Sequence, residues 1–98
     1  MFLVYILKSV KAESYYVGQT DNLERRIQEH NFLSTDSYTS KFRPWEIVAQ
    51  INCGDTRGDA LKVERYIKRQ KRKAFIQIVI EKQQDEDFLQ WLRNKANQ

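Results

Sequence analysis

Glu64 lies where a carboxylate is costly, in the middle of the apolar face of a helix predicted over about residues 59–71. At 100° per residue, that face is formed by Ala60, Leu61, Val63 and Ile67. A carboxylate there must be paired, protonated or bound to a metal ion, because an unpaired buried charge is strongly unfavourable. Lys68 follows one helical turn later, and a simple ion pair with it is the alternative to a functional site.

The same helix carries a row of cations beside the face that holds Glu64. Residues 62–73 contain seven Lys or Arg and one acid, so this segment carries +6 whereas the whole chain carries +4, and the rest of the chain is slightly acidic. The row consists of Lys62, Arg65, Arg69 and Arg72. Such a local concentration of positive charge suits a phosphate backbone, and a solvated helix face is the alternative.

Two tyrosines are predicted to stand together on one face of a sheet near the N-terminus. If the two apolar segments that contain them pair about a turn centred between Val10 and Lys11, Tyr5 lies directly opposite Tyr16. Gly18 falls on the same face, where it leaves room for a close approach. The alternative is an ordinary aromatic cross-strand pair that only stabilises the sheet.

Arg26 and His30 are i, i+4 neighbours beside the apolar stripe of the first helix, which Leu23 and Ile27 mark. At the border of a buried face, both side chains can point into a cleft. The planar guanidinium of Arg26 suits phosphate oxygens. A surface arginine and a half-buried, hydrogen-bonded imidazole are the structural alternatives.

These side chains need a small mixed fold to bring them together. The sequence predicts strands over residues 2–7, 14–20 and 45–52, and helices over about 21–30, 59–71 and 84–95. Asp21, with Glu24 three residues later, is the expected cap of the first helix. Residues 74–80 fit a helix or a strand. The order ββαβαα predicts an α+β fold, with a small three-stranded antiparallel sheet flanked by helices.

The size and composition of the chain exclude several classes of protein. With 98 residues it can bury roughly 65% of its unfolded surface, which suffices for one core and predicts a single domain over residues 1–98. One cysteine excludes an internal disulfide framework and a cysteine-based zinc cluster. No apolar run approaches the ~18 residues of a membrane span. The N-terminus lacks the marks of a signal peptide, so the cytoplasm is the expected location.

Residues 4–6 (VYI) followed by residues 16–18 (YVG) resemble the GIY-YIG nuclease signature. Arg26, His30 and Glu64 then follow in the order expected of that family. The chain is most similar to small single-domain members that resemble the N-terminal nuclease domain of an excinuclease. Their fold, a three-stranded antiparallel sheet flanked by helices, agrees with the predicted order of elements.

The resemblance covers about residues 1–80, with residues 84–95 as a closing helix, and includes the stretch from Tyr38 to Trp45. Three departures stand out. Leu3-Val4-Tyr5 stands in place of Gly-Ile-Tyr, so the first glycine of the signature is missing, and Gln19 stands where many members carry a lysine. The asparagine that many members place after the catalytic glutamate has no match.

The resemblance implies metal-dependent hydrolysis of DNA phosphodiester bonds, with repair or recombination as the setting. Glu64 would hold one Mg²⁺ or Mn²⁺ ion, which contacts the scissile phosphate and stabilises the leaving 3′ oxygen. Arg26 would neutralise charge that develops on the phosphate. Either Tyr5 or Tyr16 would take a proton from the attacking water or align it, and the sequence leaves that choice open. His30 would assist by hydrogen bonding.

The expected partner is DNA, of a structure that the sequence leaves open. The candidate nucleic-acid-binding residues are Lys62, Arg65, Lys68, Arg69, Arg72, Lys41 and Arg43. Because no additional DNA-binding domain is expected, further specificity has to come from this domain, a dimer partner or another protein. No membrane partner is expected.

Two other functions compete with a nuclease. The first is a non-catalytic nucleic-acid-binding domain that keeps the fold and the basic row. The second is a protein-interaction domain that uses Trp45 or the C-terminal helix. Convergence of Tyr5, Tyr16, Arg26 and Glu64 in one open cleft favours the nuclease, whereas a Glu64 sealed in its ion pair with Lys68 favours the binding domain.

Overall fold

The computed structural model of this chain describes residues 1–33 and 42–98. The described strands are β1 (Leu3–Ser9), β2 (Tyr15–Thr20) and β3 (Trp45–Asn52). They form one antiparallel sheet with the strand order β2-β1-β3. The described helices are α1 (Leu23–Gln28), α2 (Arg57–Gln70), α3 (Lys73–Glu81) and α4 (Glu86–Ala96). The predicted α+β class is confirmed, with the order ββαβααα.

Residues 74–80, whose sequence fits a helix or a strand, are helical and belong to α3. Phe75 and Val79, four residues apart in α3, are both buried in the main core. This spacing places them on one helix face, and burial of that face selects the helix. Among the described helices, none combines the length and apolar character needed to cross a bilayer.

The hairpin register differs from the prediction. Tyr5 pairs with Gly18 and Tyr16 pairs with Leu7, so the two tyrosines are not directly opposite each other. The turn is wider than expected because the Ser9 hydroxyl accepts hydrogen bonds from two turn amides, at 3.1 and 3.2 Å. The shift is by two residues, an even number, so Tyr5 and Tyr16 still share one face of the sheet.

The first helix begins one residue later than predicted. Asn22, not Asp21, is the N-cap, and its Oδ1 accepts a hydrogen bond of 3.1 Å from the amide of Arg25. The hydroxyl of Thr20 accepts from the amide of Asn22 at 3.0 Å, which fixes the capping residue in place. A π-helical turn at Glu29–Leu33 continues α1, so the predicted helix to residue 30 ends in a wider turn.

The two faces of the sheet support different layers. One face packs Val4, Ile6, Val17, Ala49 and Ile51 against α2, α3 and α4. The other face carries a smaller cluster that includes the α1 stripe. Since α2 also packs along the edge strand β2, it can deliver a side chain to the rim of this second face.

Candidate active site

Tyr5 is at the centre of the site and is fully buried. A hydrogen bond of 3.1 Å joins its Oη to Nε2 of His30, which is also buried. Burial raises the pKa of Tyr5 to about 12, and the neighbouring Arg26 guanidinium opposes this rise. Tyr5 is therefore a protonated phenol at neutral pH, held between the sheet and the end of the first helix.

Gly18 leaves open the space that the Tyr5 phenol occupies. A Cβ atom at position 18 would lie 2.5 Å from Tyr5 Oη and 2.7 Å from Tyr5 Cζ. It would also lie 3.1 Å from Cε1 of Tyr16. The close approach that the sequence predicts at Gly18 is thus made by the phenol of Tyr5.

Tyr16 lies beside Tyr5 in a more open position. Its ring centroid is 6.2 Å from that of Tyr5 and 4.5 Å from that of His30. Tyr16 is partly buried and lines a groove, whereas Tyr5 has no exposed surface. Of the two tyrosines, only Tyr16 can touch a molecule in that groove.

Arg26 is brought to the Tyr5 phenol by α1. Its guanidinium forms an ion pair with Glu29 at 3.4 Å and remains partly exposed. The guanidinium therefore bridges the buried cluster and the surface, as its predicted position beside the apolar stripe requires. The partner acid holds it in place without removing it from solvent.

Glu64 reaches the same region from α2. Its carboxylate forms an ion pair of 3.2 Å with Lys68, so the alternative foreseen from the sequence is present. The pair is not sealed, because 16% of the Glu64 side chain and half of Lys68 are exposed. The Lys68 ammonium also lies 5.9 Å from the ring centroid of Tyr16, which connects Glu64 to the tyrosines.

Two basic grooves meet at Lys68. The C-terminal groove has a volume of about 610 Å³ and is lined by Lys62, Arg65, Lys68, Arg69, Lys71, Ala96, Asn97 and Gln98. The hairpin groove has a volume of about 500 Å³, and its lining includes Tyr15, Tyr16, Lys68, Lys71, Arg72 and Lys73. The ion-pair partner of Glu64 thus stands where the two grooves join.

Arg72 does not belong to the basic row of α2, contrary to prediction. The helix ends at Gln70, and Lys71 adopts the left-handed conformation with φ of 53°. The chain therefore turns before Arg72, which precedes α3 and lines the hairpin groove instead.

The remaining predicted cations have separate positions. The Nε of Arg43 donates a hydrogen bond of 2.7 Å to the backbone carbonyl of His30, so this side chain supports the site. Lys41, Tyr38 and Thr39 lie outside the described residues.

Trp45 is only 3% exposed, which contradicts its use as a surface for protein interaction.

Two polar contacts were not foreseen from the sequence. Asn31 donates to the carbonyl of Trp45 at 3.2 Å and accepts from its amide at 2.6 Å, which ties the π-helical turn to β3. Gln19 accepts a hydrogen bond of 2.9 Å from Arg57, so a cation stands beside this position after all. Nothing in the spacing of these residues signals either contact, because both join segments that are distant in sequence.

The side chains of the site can hold a divalent ion through one carboxylate, but they do not surround it with protein ligands. Within residues 1–33 and 42–98, no three His, Cys, Asp or Glu side chains are grouped as a metal cage would require. Glu64 offers a single partly exposed carboxylate. Mg²⁺ is compatible with such a site, because it keeps several waters and is commonly held by one or two carboxylates and the phosphates of the substrate.

Comparison with known proteins gives the family. The family model for the GIY-YIG catalytic domain matches residues 1–77. The chain belongs to the GIY-YIG family. The resemblance recognised in the two sequence triplets is confirmed, and this GIY-YIG chain places the tyrosines of both triplets on one sheet face.

Small relatives match most of this GIY-YIG chain. A UPF0213 protein of Clostridium perfringens is 38% identical over 82 residues, which cover 84% of this chain and 86% of that protein. A UPF0213 protein of Haloquadratum walsbyi is 42% identical over 65 residues, covering 66% and 71%.

Larger relatives share a part of their length with it. The structure-specific endonuclease subunit SLX1 of Debaryomyces hansenii is 37% identical over 67 residues, which cover 62% of this chain. The matched segment spans 19% of that subunit, so the GIY-YIG chain corresponds to about a fifth of this larger relative.

Proposed function

We propose that this GIY-YIG protein is an endonuclease that hydrolyses phosphodiester bonds of DNA with the help of one divalent metal ion. A single observation carries the proposal. Tyr5 of β1, Tyr16 of β2 and His30 of the π-helical turn meet on one face of the sheet, where Arg26 of α1 reaches the Tyr5 phenol. The helix α2 brings Glu64 to the rim of that face through its contact with Lys68.

Glu64 is the residue proposed to hold the ion, Mg²⁺ or Mn²⁺. Such an ion supplies Lewis-acid stabilisation of phosphate oxygens when bound. When no metal ion is bound, the Lys68 ammonium neutralises the Glu64 carboxylate. Since Lys68 is half exposed, its ammonium can move into solvent when the ion takes its place beside the carboxylate, so Glu64 is paired in both states.

Arg26 is proposed to stabilise the charge that develops on the phosphate. Its guanidinium is partly exposed and is oriented by Glu29 on one side and the Tyr5 phenol on the other. A fixed cation with a planar fork is well suited to phosphate oxygens. Preorganised donors of this kind contribute strongly because they are already aimed at the developing charge.

The two tyrosines are proposed to have different roles. Tyr16 lines the hairpin groove, which supports assigning it the alignment of the attacking water. Tyr5 is buried, remains protonated at neutral pH and is hydrogen-bonded to His30, so it positions its neighbours and does not touch the substrate. His30 supports Tyr16 through the ring contact at 4.5 Å.

The relatives support the setting of this proposal. Those named SLX1 are called structure-specific endonuclease subunits, and a subunit acts with other chains. We therefore extend the proposal to DNA repair or recombination, with a protein partner that adds specificity. The cations of the two grooves provide the surface for the DNA backbone.

A cleavage screen tests the proposed function. Duplex, nicked, flapped and branched DNA are incubated with Mg²⁺ or Mn²⁺. We expect cleavage by the wild type, none by Glu64→Gln, and a loss of about 100-fold or more for Arg26→Ala. Glu81→Gln changes an exposed acid on α3 and should cleave like the wild type. Absence of cleavage by the wild type on every substrate with both metals would overturn the enzyme assignment.

The Glu64–Lys68 ion pair favours one other candidate, a non-catalytic nucleic-acid-binding domain. In that case the carboxylate only neutralises a lysine. DNA would then bind in a salt-sensitive manner, Glu64→Gln would bind at least as tightly as the wild type, and no form would cleave. The same set of proteins therefore separates the two functions.

A further inference from the structure

Three aromatic side chains form a cluster on the side of α2 that faces away from Glu64, in which Tyr66 and Phe88 are partly buried and Trp91 is exposed. The ring of Trp91 stacks on Phe88 at 5.7 Å and meets Tyr66 edge-on at 6.3 Å. Despite these contacts, 41% of Trp91 is exposed. This group, the Trp91 cluster, contributes to none of the proposed catalytic steps.

Cations lie directly beside the rings of the Trp91 cluster. The Arg69 guanidinium lies 5.9 Å from the centroid of Tyr66, and the Lys82 ammonium lies 5.8 Å from the centroid of Phe88. Rings and cations in alternation are the usual means of binding unpaired nucleotides, because cations contact phosphates while the exposed faces of bases stack on aromatic rings.

The C-terminal groove connects the Trp91 cluster to the region of Glu64. At 100° per residue, the groove cations Arg65, Arg69 and Lys62 occupy the arc of α2 between Glu64 and Tyr66. Arg69 lines the groove and also lies 5.9 Å from the Tyr66 ring, so the groove borders the cluster at this residue. A chain of phosphates that follows the groove from Lys68 to Arg69 therefore comes next to the cluster.

The charge of the groove indicates what occupies it. Five of its lining side chains are cations, and no Asp or Glu stands among the described residues that line it. This lining is complementary to a polyanion. A duplex offers phosphates but keeps its base faces stacked inside the helix, whereas a single strand offers both phosphates and free base faces.

We propose that the C-terminal groove and the Trp91 cluster together form a binding site for single-stranded nucleic acid. The strand's phosphates contact Arg65 and Arg69, and one of its bases stacks on Trp91. The site goes beyond the proposed nuclease function, because an unpaired strand binds it whether or not the chain cleaves DNA.

The test is a binding measurement without metal, on the Glu64→Gln background, with EDTA present. Labelled oligothymidine and oligouridine of about 12 nucleotides are compared with a blunt duplex. The probe for stacking is the fluorescence of Trp91, because the other tryptophan, Trp45, is buried. Trp91→Leu removes the aromatic face but keeps an apolar helix residue, and Trp91→Phe restores a ring.

We expect Trp91→Leu to weaken binding of the oligonucleotides by roughly 5- to 100-fold. Its affinity for the blunt duplex should not change, which also shows that the variant is folded. Trp91→Phe should recover most of the loss. Ile47→Ala is the matched control, since Ile47 is 40% exposed but belongs to neither the groove nor the cluster. Tighter binding of oligothymidine than of oligouridine would identify the strand as DNA, and the reverse order would identify it as RNA.

Three results overturn the proposal. The first is equal oligonucleotide affinity for the wild type and Trp91→Leu, and the second is an equal loss for oligonucleotide and duplex. The third is Trp91-dependent binding of polyglutamate at least as tight as that of the oligonucleotides, which assigns the site to an acidic protein. None of these results depends on cleavage, so failure of this site and failure of the nuclease assignment are separate outcomes.

Discussion

The phenol of Tyr5 occupies the space that a side chain at position 18 would need. We predict that Gly18→Ala lowers the free energy of unfolding by about 1–3 kcal/mol, because the added Cβ meets a buried ring that cannot move freely. The same substitution should reduce cleavage, since Tyr5 and Tyr16 both border the added atom. Urea denaturation and the cleavage assay measure the two effects.

Gly58→Ala is the control for this prediction. Gly58 lies in the first turn of α2 and has nothing within 4 Å of its Cβ position. The alanine should be neutral or stabilising by up to about 1 kcal/mol, in line with helix propensity. If both substitutions have the same effect, the contact between Tyr5 and Gly18 is not what constrains position 18.

Burial of Tyr5 makes stability depend on pH in the alkaline range. An unfolded tyrosine loses its proton near pH 10, whereas folded Tyr5 keeps it to about pH 12. The folded state therefore binds more protons between these values, and its free energy of unfolding falls as the pH rises, by on the order of 3 kcal/mol from Tyr5. Below pH 10 this contribution is constant.

Tyrosinate absorbance reports this ionisation directly. We predict that the difference between the titration curves of the wild type and Tyr5→Phe is a single step near pH 12. A step near pH 10 would show that Tyr5 is solvated in the native protein and free to act as a base.

For single residues, the sequence identifies which side chains belong to the site, but it does not identify the residues that they contact. The two triplets identify Tyr5, Tyr16 and Gly18, because the chemistry of the motif is local. The partner of Tyr5 across the hairpin depends on how the Ser9 hydroxyl widens the turn, which a count of residues does not capture.

Between elements, Asn31 connects the end of the first helix to the start of β3. We predict that Asn31→Ala lowers the free energy of unfolding by about 1–3 kcal/mol, because it removes two hydrogen bonds to the backbone of Trp45. Thermal or urea unfolding measures the loss. Asn94→Ala changes an exposed helix residue and should leave stability unchanged or slightly higher. Equal stability of the two variants would contradict the role of Asn31.

The elements themselves were largely predictable. β3 has the bounds expected from its alternating pattern, and the amphipathic helices α2 and α4 begin and end within about two residues of the prediction. The ambiguous segment became α3 because Phe75 and Val79 find a common core, which is information from tertiary packing. The choice of Asn22 over Asp21 as the cap follows from its contact with Thr20.

At the scale of the whole molecule, the grooves should dominate the salt dependence of nucleic-acid binding. Replacing Lys62, Arg65 and Arg69 with Gln should make the negative slope of log K against log salt shallower by about 2 for single strands. This is about 0.7 for each lost phosphate contact. Binding measured at several salt concentrations gives the slope. Lys11→Gln, an exposed cation of the hairpin turn, should leave it unchanged. A uniform effect of all four cations would indicate attraction by net charge alone.

The sequence predicts which cations belong to the nucleic-acid-binding surface better than it predicts how they are arranged. Positive charge on residues 62–73 was visible in the sequence, but its division between two grooves was not. That division arises where Lys71 turns the chain and moves Arg72 away from α2. The Trp91 cluster was likewise hidden, since Tyr66 and Trp91 come from separate helices.

The order of the site along the chain has a consequence for its biosynthesis. The tyrosines, Arg26 and His30 precede β3, whereas Glu64 follows the turn at Gly54 and reaches the site only when α2 packs along β2. A ribosome therefore synthesises the hairpin and the first helix before Glu64. Under the proposed function, a nascent chain has no nuclease activity until its second half has docked, so the cell's DNA is not exposed to a partly made enzyme.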